Sequence, residues 1–237
     1  MRVVFLGTPQ WAVPSLQRLV RDGHLLAGVV TAPDKPAGRG RTPRPSPVKQ
    51  AAEQAGLSPV LQPKTLKSRE AREAILRLEA EALVVVAYGR ILPGRLLDAP
   101  PHGAINLHFS LLPRHRGASP VQHTLLAGDP RAGVTTMVME RGLDTGPVLL
   151  QRATEVEPGE MAAQLGERLA LLGAPLLAET LHGLEHGTLS PTPQDDDQAT
   201  EAPLLRREMG RVRWEEPADL IARRVRAFDP WPPVVAA

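Results

Sequence analysis

Unbroken apolar runs alternate along this chain with stretches whose apolar residues return every three to four positions. RVVFL (2–6), LLAGVV (25–30) and ALVVVA (82–87) are the clearest runs, each closed by glycine, proline or polar residues, and AINLHF (104–109) follows as a further strand that carries Asn106 and His108. They are too short for helices. Continuous rather than alternating hydrophobicity marks strands covered on both faces, as in parallel sheets. Helical spacing predicts helices at about 12–21, 47–55 and 68–78, the second starting at Ser46 or Pro47, with a short extended piece near Val60. Strand and helix in alternation predict an α/β fold, a Rossmann-like, doubly wound, mostly parallel sheet.

The pattern changes after residue 130. GVTTMVM (133–139) and PVLLQRA (147–153) are strands joined by a short turn, so they are expected to pair antiparallel at one edge of the sheet. A long helix follows from about Met161 to His186, ended by Gly187. The polar, proline-containing stretch 188–203 reads as a linker, RVRW (211–214) as a short strand and Pro217–Ala227 as a last helix. This divides the chain into a domain at 1–187 and an extension at 188–237.

Composition removes several function classes. With no cysteine there is no disulfide, thiol nucleophile or cysteine-ligated zinc. No apolar run is long enough to span a bilayer, and MRVVFLGTP is cut short as a signal peptide by Gly7 and Pro9, so the expectation is a cytoplasmic protein without membrane contact. The net charge is only +2, but DKPAGRGRTPRPSPVK (34–49) sets five basic residues against one acidic one. A local basic loop on a nearly neutral protein suits docking to a polyanion. Three Trp, three Phe and one Tyr, none of them within that run, argue against base-stacking single-strand binding.

The stretch AINLHFSLLPRHRGASP (104–120) carries the densest chemistry. Strand alternation puts Asn106, His108 and Ser110 on one face, with Ile105, Leu107 and Phe109 on the other. The roots of Asn106 and His108 stand roughly 7 Å apart. They lie at the carboxyl end of a strand, where open α/β sheets bind ligands. A carboxamide donor beside an imidazole suits stabilising an oxyanion while moving a proton; the ordinary alternative is a buried pair satisfied by backbone groups. His182-x-x-Glu185-His186 matches a zinc pattern but sits at a helix end and lacks a third ligand, so no metal is expected. Gly7-Thr-Pro after the first strand is neither a dinucleotide fingerprint nor a P-loop.

NLHFSLLPRHRGASPVQ resembles a signature of the folate-dependent formyltransferases, and GVTTMVMERGLDTGPVLL resembles their second motif, in the same order and separation. VVFLGTPQWAVPSL, VVVAYGRILP (84–93), SPVK (46–49) and RAFDPWP (226–232) extend the likeness over essentially the whole chain. The resemblance implies Asn106, His108 and Asp144 as catalytic residues, with Asp144 folded back against His108 to hold the imidazole and aid proton removal. By the residues alone, an aspartate in such a glycine-containing turn is usually just a turn former. The resemblance further implies that Ser110, Leu111, Leu112 and Pro113 lie against the folate, with Tyr88, Gly89 and Ile91 lining the pterin pocket. The long basic insertion at 33–49 is similar to that of the members acting on initiator tRNA, which makes Lys35, Arg39 and Arg41 the RNA-facing candidates.

The implied reaction moves the formyl group of 10-formyltetrahydrofolate to the α-amine of initiator methionyl-tRNA, by a monomer. A sugar-nucleotide or other small amine as acceptor, or a folate- or RNA-binding protein without turnover, stay open. Relatives of this kind continue past RAFDPWP into a small β-barrel domain, which is expected to be absent here. Phe109 departs from the glycine or proline usual in relatives; facing away from the catalytic pair, it is expected to affect packing only.

Overall fold

In the computed structural model, which describes residues 1–37 and 42–236, the apolar runs assemble into one sheet. Its strands are β1 (Arg2–Gly7), β2 (Leu25–Val30), β5 (Val60–Leu61), β6 (Ala82–Val86), β7 (Ala104–His108), β8 (Arg131–Val138) and β9 (Val148–Glu155). The order across the sheet is β5-β2-β1-β6-β7-β8-β9. Every pair from β5 to β7 is parallel, and β8 and β9 form the expected antiparallel edge.

The reason for unbroken apolar runs is visible in where alternate residues go. Val3, Phe5, Val84, Ile105 and Leu107 enter one core, against α1 (Val13–Arg21), α2 (Pro47–Gln54), α5 (Pro120–Ala127) and α6 (Ala162–Glu185). Val4, Leu6, Leu83 and Val85 enter a second, smaller core with residues of α3 (Arg69–Leu76) and α4 (Gly94–Leu97). Fully burying a side chain such as Phe5 or Leu107 contributes about 1.5–3 kcal/mol, so both faces must be apolar for the strands to hold. Phe109 joins the first core, its ring 6.0 Å from that of Trp11 and away from Asn106 and His108, as expected.

Serine caps start two of the helices. Ser46 Oγ accepts from Lys49 N at 3.1 Å and also bonds Thr31 Oγ1 at 2.7 Å, tying the start of α2 to the end of β2. Ser68 Oγ accepts from Ala71 N at 3.2 Å. Gly187, with φ +64, follows α6 at its carboxyl end.

Three features were not expected. The basic segment is not a plain loop: β3 (Lys35–Ala37) and β4 (Thr42–Arg44) are its antiparallel arms, with Lys35 opposite Arg44. The helix α4, at Gly94–Leu97, is too short for a periodic signal. The strand expected at 211–214 is only β10 (Arg211–Val212), paired in parallel with β11 (Val235–Ala236). Helix α7 (Ala218–Ala227) packs on α5, where Arg223 Nη1 donates to the carbonyl of Ala127 at 3.2 Å. Among the described residues, no helix is long and apolar enough to cross a membrane.

Helix α6 approaches its neighbours closely through glycine. A Cβ on Gly166 would stand 2.1 Å from a ring carbon of Trp11, and one on Gly173 2.7 Å from a Leu107 methyl. Alanine raises helix propensity by about 1 kcal/mol over glycine, but an overpacked rigid ring typically costs about 1–3 kcal/mol. The clash is expected to win. Gly166→Ala should therefore lower the urea midpoint; a raised midpoint would show that Trp11 gives way.

Candidate active site

Strand β7 delivers the first two residues of the site. Asn106 is 9% exposed and His108 5%, on the face opposite Ile105 and Leu107. Asn106 sits between Val85 of β6 and Met137 of β8, and His108 lies opposite Thr135. The turn between β8 and β9 folds back over this face and brings Asp144 Oδ2 to 3.6 Å from His108 Nδ1. Of the three residues expected to act together, His108 and Asp144 thus approach each other, and Asn106 lies two residues back on the same face of β7. Asp144 has φ +53, a left-handed conformation that aspartate tolerates better than most residues.

The contact that orients the imidazole is a different one. His108 Nε2 lies 2.9 Å from the carbonyl oxygen of His115. A carbonyl only accepts, so Nε2 carries a proton. In the neutral ring Nδ1 is then an acceptor, facing the Asp144 carboxylate across a gap too wide for a direct hydrogen bond. Two acceptors aimed at one point make a receptacle for a proton.

His115 turns its carbonyl inward from φ +61. Its N–H donates to Thr200 Oγ1 at 2.8 Å and its ring Nε2 bonds Asp129 Oδ2 at 2.7 Å, while Arg114 Nη2 also reaches Asp129, at 2.8 and 3.0 Å. Burial pushes the His115 imidazole below its ordinary pKa, against the Asp129 carboxylate, which pulls it upward. Two residues on, the Gly117 N–H donates to Asp144 Oδ2 at 2.9 Å. At φ +130, with the position of a Cβ only 2.5 Å from the carbonyl oxygen of Ala202, that residue has to be glycine.

The Ser-Leu-Leu-Pro segment is anchored by a polar row running across β7, β8 and β9. Thr135 Oγ1 donates to the Ser110 carbonyl at 2.6 Å and accepts from Leu112 N at 3.1 Å. Gln151 Nε2 donates to the Leu112 carbonyl at 2.7 Å and to Thr135 Oγ1 at 3.0 Å. The Ser110 hydroxyl is spent on the Arg114 carbonyl at 2.6 Å, which closes the turn. Leu111 rests over Gly133, Leu112 is buried, and Pro113 follows a cis peptide bond.

The residues after β6 are placed differently from one another. Tyr88 is buried in the second core, with its hydroxyl unpartnered among the described residues; burial raises its pKa. Gly89 has φ +77, with open space where a side chain would begin, and Ile91 is 87% exposed. Lys35 lies exposed on β3, and Arg39 and Arg41 lie outside the described residues. Glu185 of the HxxEH stretch bonds the Met1 amine at 2.6 Å, and the described residues hold no cluster placed to bind a metal ion.

Sequence reasoning missed His115, Gly117, Thr135, Gln151 and Gln194 as parts of this site. Only Thr135 left a signal: a hydroxyl inside the apolar run GVTTMVM, on the face shared with Met137.

A family model described as formyl transferase matches residues 1–181, and one for the formyl transferase C-terminal domain matches 204–237. A methionyl-tRNA formyltransferase of Solibacter usitatus is 53% identical over 232 residues, 98% of this chain and 74% of that one. Another, of Pelobacter propionicus, is 48% identical over 97% of this chain and 72% of that one. The N-formyltransferase of Helicobacter canadensis, solved with folinic acid and dTDP-3-aminofucose, shares the fold with TM-score 0.72 at 14% identity, over 99% of this chain and 83% of that one. Fold and matched motifs together define a formyl transferase. The chain belongs to the methionyl-tRNA formyltransferase family.

The buried His115 yields a prediction about acid stability. Its folded pKa lies below the ordinary 6.5, so just below pH 6.5 the unfolded chain binds a proton that the folded chain refuses. More protons on the unfolded state mean stability that rises with pH and falls on acidification. Between pH 7.5 and 5.5, His115→Asn, which tolerates φ +61, should lose less stability than the parent. Equal shifts of the urea midpoint in the two proteins would refute this.

Proposed function

We propose that this chain transfers the formyl group of 10-formyltetrahydrofolate to the α-amine of methionyl-initiator-tRNA. The observation that carries the reading is the approach of Asp144 to His108 at the carboxyl end of β7, two residues beyond Asn106 on the same face, in a chain of this family. The neutral amine attacks the formyl carbon, a C–N bond forms, and the formyl oxygen becomes an oxyanion. Asn106 donates to that oxygen through its carboxamide. The proton shed by the amine passes to His108 Nδ1, beside Asp144, because Nε2 is held by the His115 carbonyl. The same proton then moves to N10 of the folate as the C–N10 bond breaks, so no net proton is gained or lost.

Ser110–Pro113 form one wall of the folate pocket, with Tyr88, Gly89 and Ile91 along its other side. A heterocycle seated there covers Ile91, an apolar side chain otherwise left in water. Lys35, exposed on β3, and Arg39 and Arg41, which follow it in the sequence, contact RNA phosphates. Residues 1–187 form the catalytic domain and 188–237 a C-terminal extension. The protein works in the cytoplasm as a monomer, without metal.

The test is formylation of methionyl-initiator-tRNA with 10-formyltetrahydrofolate at low and moderate salt. Transfer should fade as salt rises, because phosphate contacts release counterions. Asn106→Ala should melt like the parent and turn over about 10²–10³-fold more slowly. Near-parental turnover of that variant would sink the role given to Asn106, and transfer to an amino-sugar nucleotide but not to tRNA would move the chain to a different acceptor.

A further inference from the structure

Polar residues 192–202 do not hang free of the site; they run across it as a strap. The Thr192 and Val148 backbones exchange hydrogen bonds at 2.8 Å, fastening the strap's start to β9. Its far end pairs with the loop after β7: Arg116 N donates to the Thr200 carbonyl at 2.8 Å, Ala202 N to the Arg116 carbonyl at 2.7 Å, and Ser119 N to the Ala202 carbonyl at 3.1 Å. Ala202 is fully buried there.

Between these anchors stands Gln194, whose carboxamide has its full valence of hydrogen bonds. Nε2 donates to the carbonyls of Asp144, at 2.9 Å, and Gly146, at 2.7 Å. Oε1 accepts from Arg116 Nε at 3.0 Å and Nη2 at 2.9 Å. Arg116 is steadied in turn by Asp196 Oδ1 at 2.7 Å. One side chain therefore spans the loop that carries Asp144 and the loop that carries the His115 carbonyl and the Gly117 N–H. Among the described residues, those two loops supply every polar contact to the ring nitrogens of His108 and to the carboxylate facing it.

We infer that Gln194 is a positioning residue for formyl transfer: it sets the gap between Asp144 and His108 by clamping both loops, and it acts through Asp144. The inference rests on the formyl-transfer reading of the site. The chemistry selects a primary amide of this length. A carboxylate keeps the Arg116 contact but turns two donors into acceptors facing two carbonyls, and asparagine is one methylene too short. A displacement of about 1 Å at a proton-transfer gap costs on the order of 10²-fold in rate.

The experiment compares the 237-residue parent, Gln194→Ala, Gln194→Glu, Asp144→Asn and the Gln194→Ala/Asp144→Asn double variant in the methionyl-tRNA assay, with thermal melting of each. The expected result is a drop in kcat of about 10- to 100-fold for both Gln194 variants, with KM for folate and tRNA within about twofold of the parent. In the Asp144→Asn background the Gln194→Ala change should cost less than about threefold, since two residues acting as one unit are not additive. Should Gln194→Ala fold poorly, Gln194→Glu, with its arginine contact intact, still tests the donors. A kcat within threefold of the parent, or the same loss in both backgrounds, overturns the inference. If the parent transfers nothing, the reading of the site falls and this inference with it. If the parent is active and Asp144→Asn is impaired while both Gln194 variants are not, the strap alone is wrong.

Discussion

His108 is held by one bond, from Nε2–H to the carbonyl of His115 at 2.9 Å, and the site is organised around that commitment. It leaves Nδ1 as the face of the ring that can exchange a proton, and so decides where Asp144 has to stand. It also obliges the chain after β7 to double back within seven residues, which it does through a left-handed His115 and the turn closed by Ser110. A turn that tight at the end of a buried strand exposes backbone donors and acceptors to an apolar interior. Thr135, Gln151 and Thr200 satisfy them, so residues with no contact to the reacting atoms set the geometry of those that have it.

What could be read from the sequence follows from how local each cause is. The strands were legible because both faces of β1 and β6 enter cores, and a two-sided demand writes itself as an unbroken apolar run. The helix starts at Ser46 and Ser68 were legible because a cap acts over three residues. Asn106 and His108 could be placed on one face by alternation alone. Asp144 could not: an aspartate in a glycine turn has an ordinary explanation, and only the likeness of the surrounding motif distinguished it.

The remainder of the site depends on partners far apart in the chain. Gln194 is 50 residues from Asp144 and 78 from Arg116, and His115 is 85 from Thr200. No spacing rule reaches across such separations. The polar, proline-containing composition of 188–203 has the character of a connector, yet Gln194, Asp196 and Thr200 hydrogen-bond the two site loops through their side chains, and the Thr200 and Ala202 backbones pair with the loop after β7. The basic segment was legible as charge but not as a hairpin, since proline at both Pro36 and Pro43 argues against strand pairing until the partner arm is seen.

The late position of the strap in the chain has a consequence for biosynthesis. A growing polypeptide that has emerged through α6 already contains every strand of the large sheet and both sets of core helices. It still lacks Gln194, Thr200 and Ala202, so the loops around His108 have nothing to close against. Order of synthesis therefore places the whole scaffold ahead of the segment that closes the active centre.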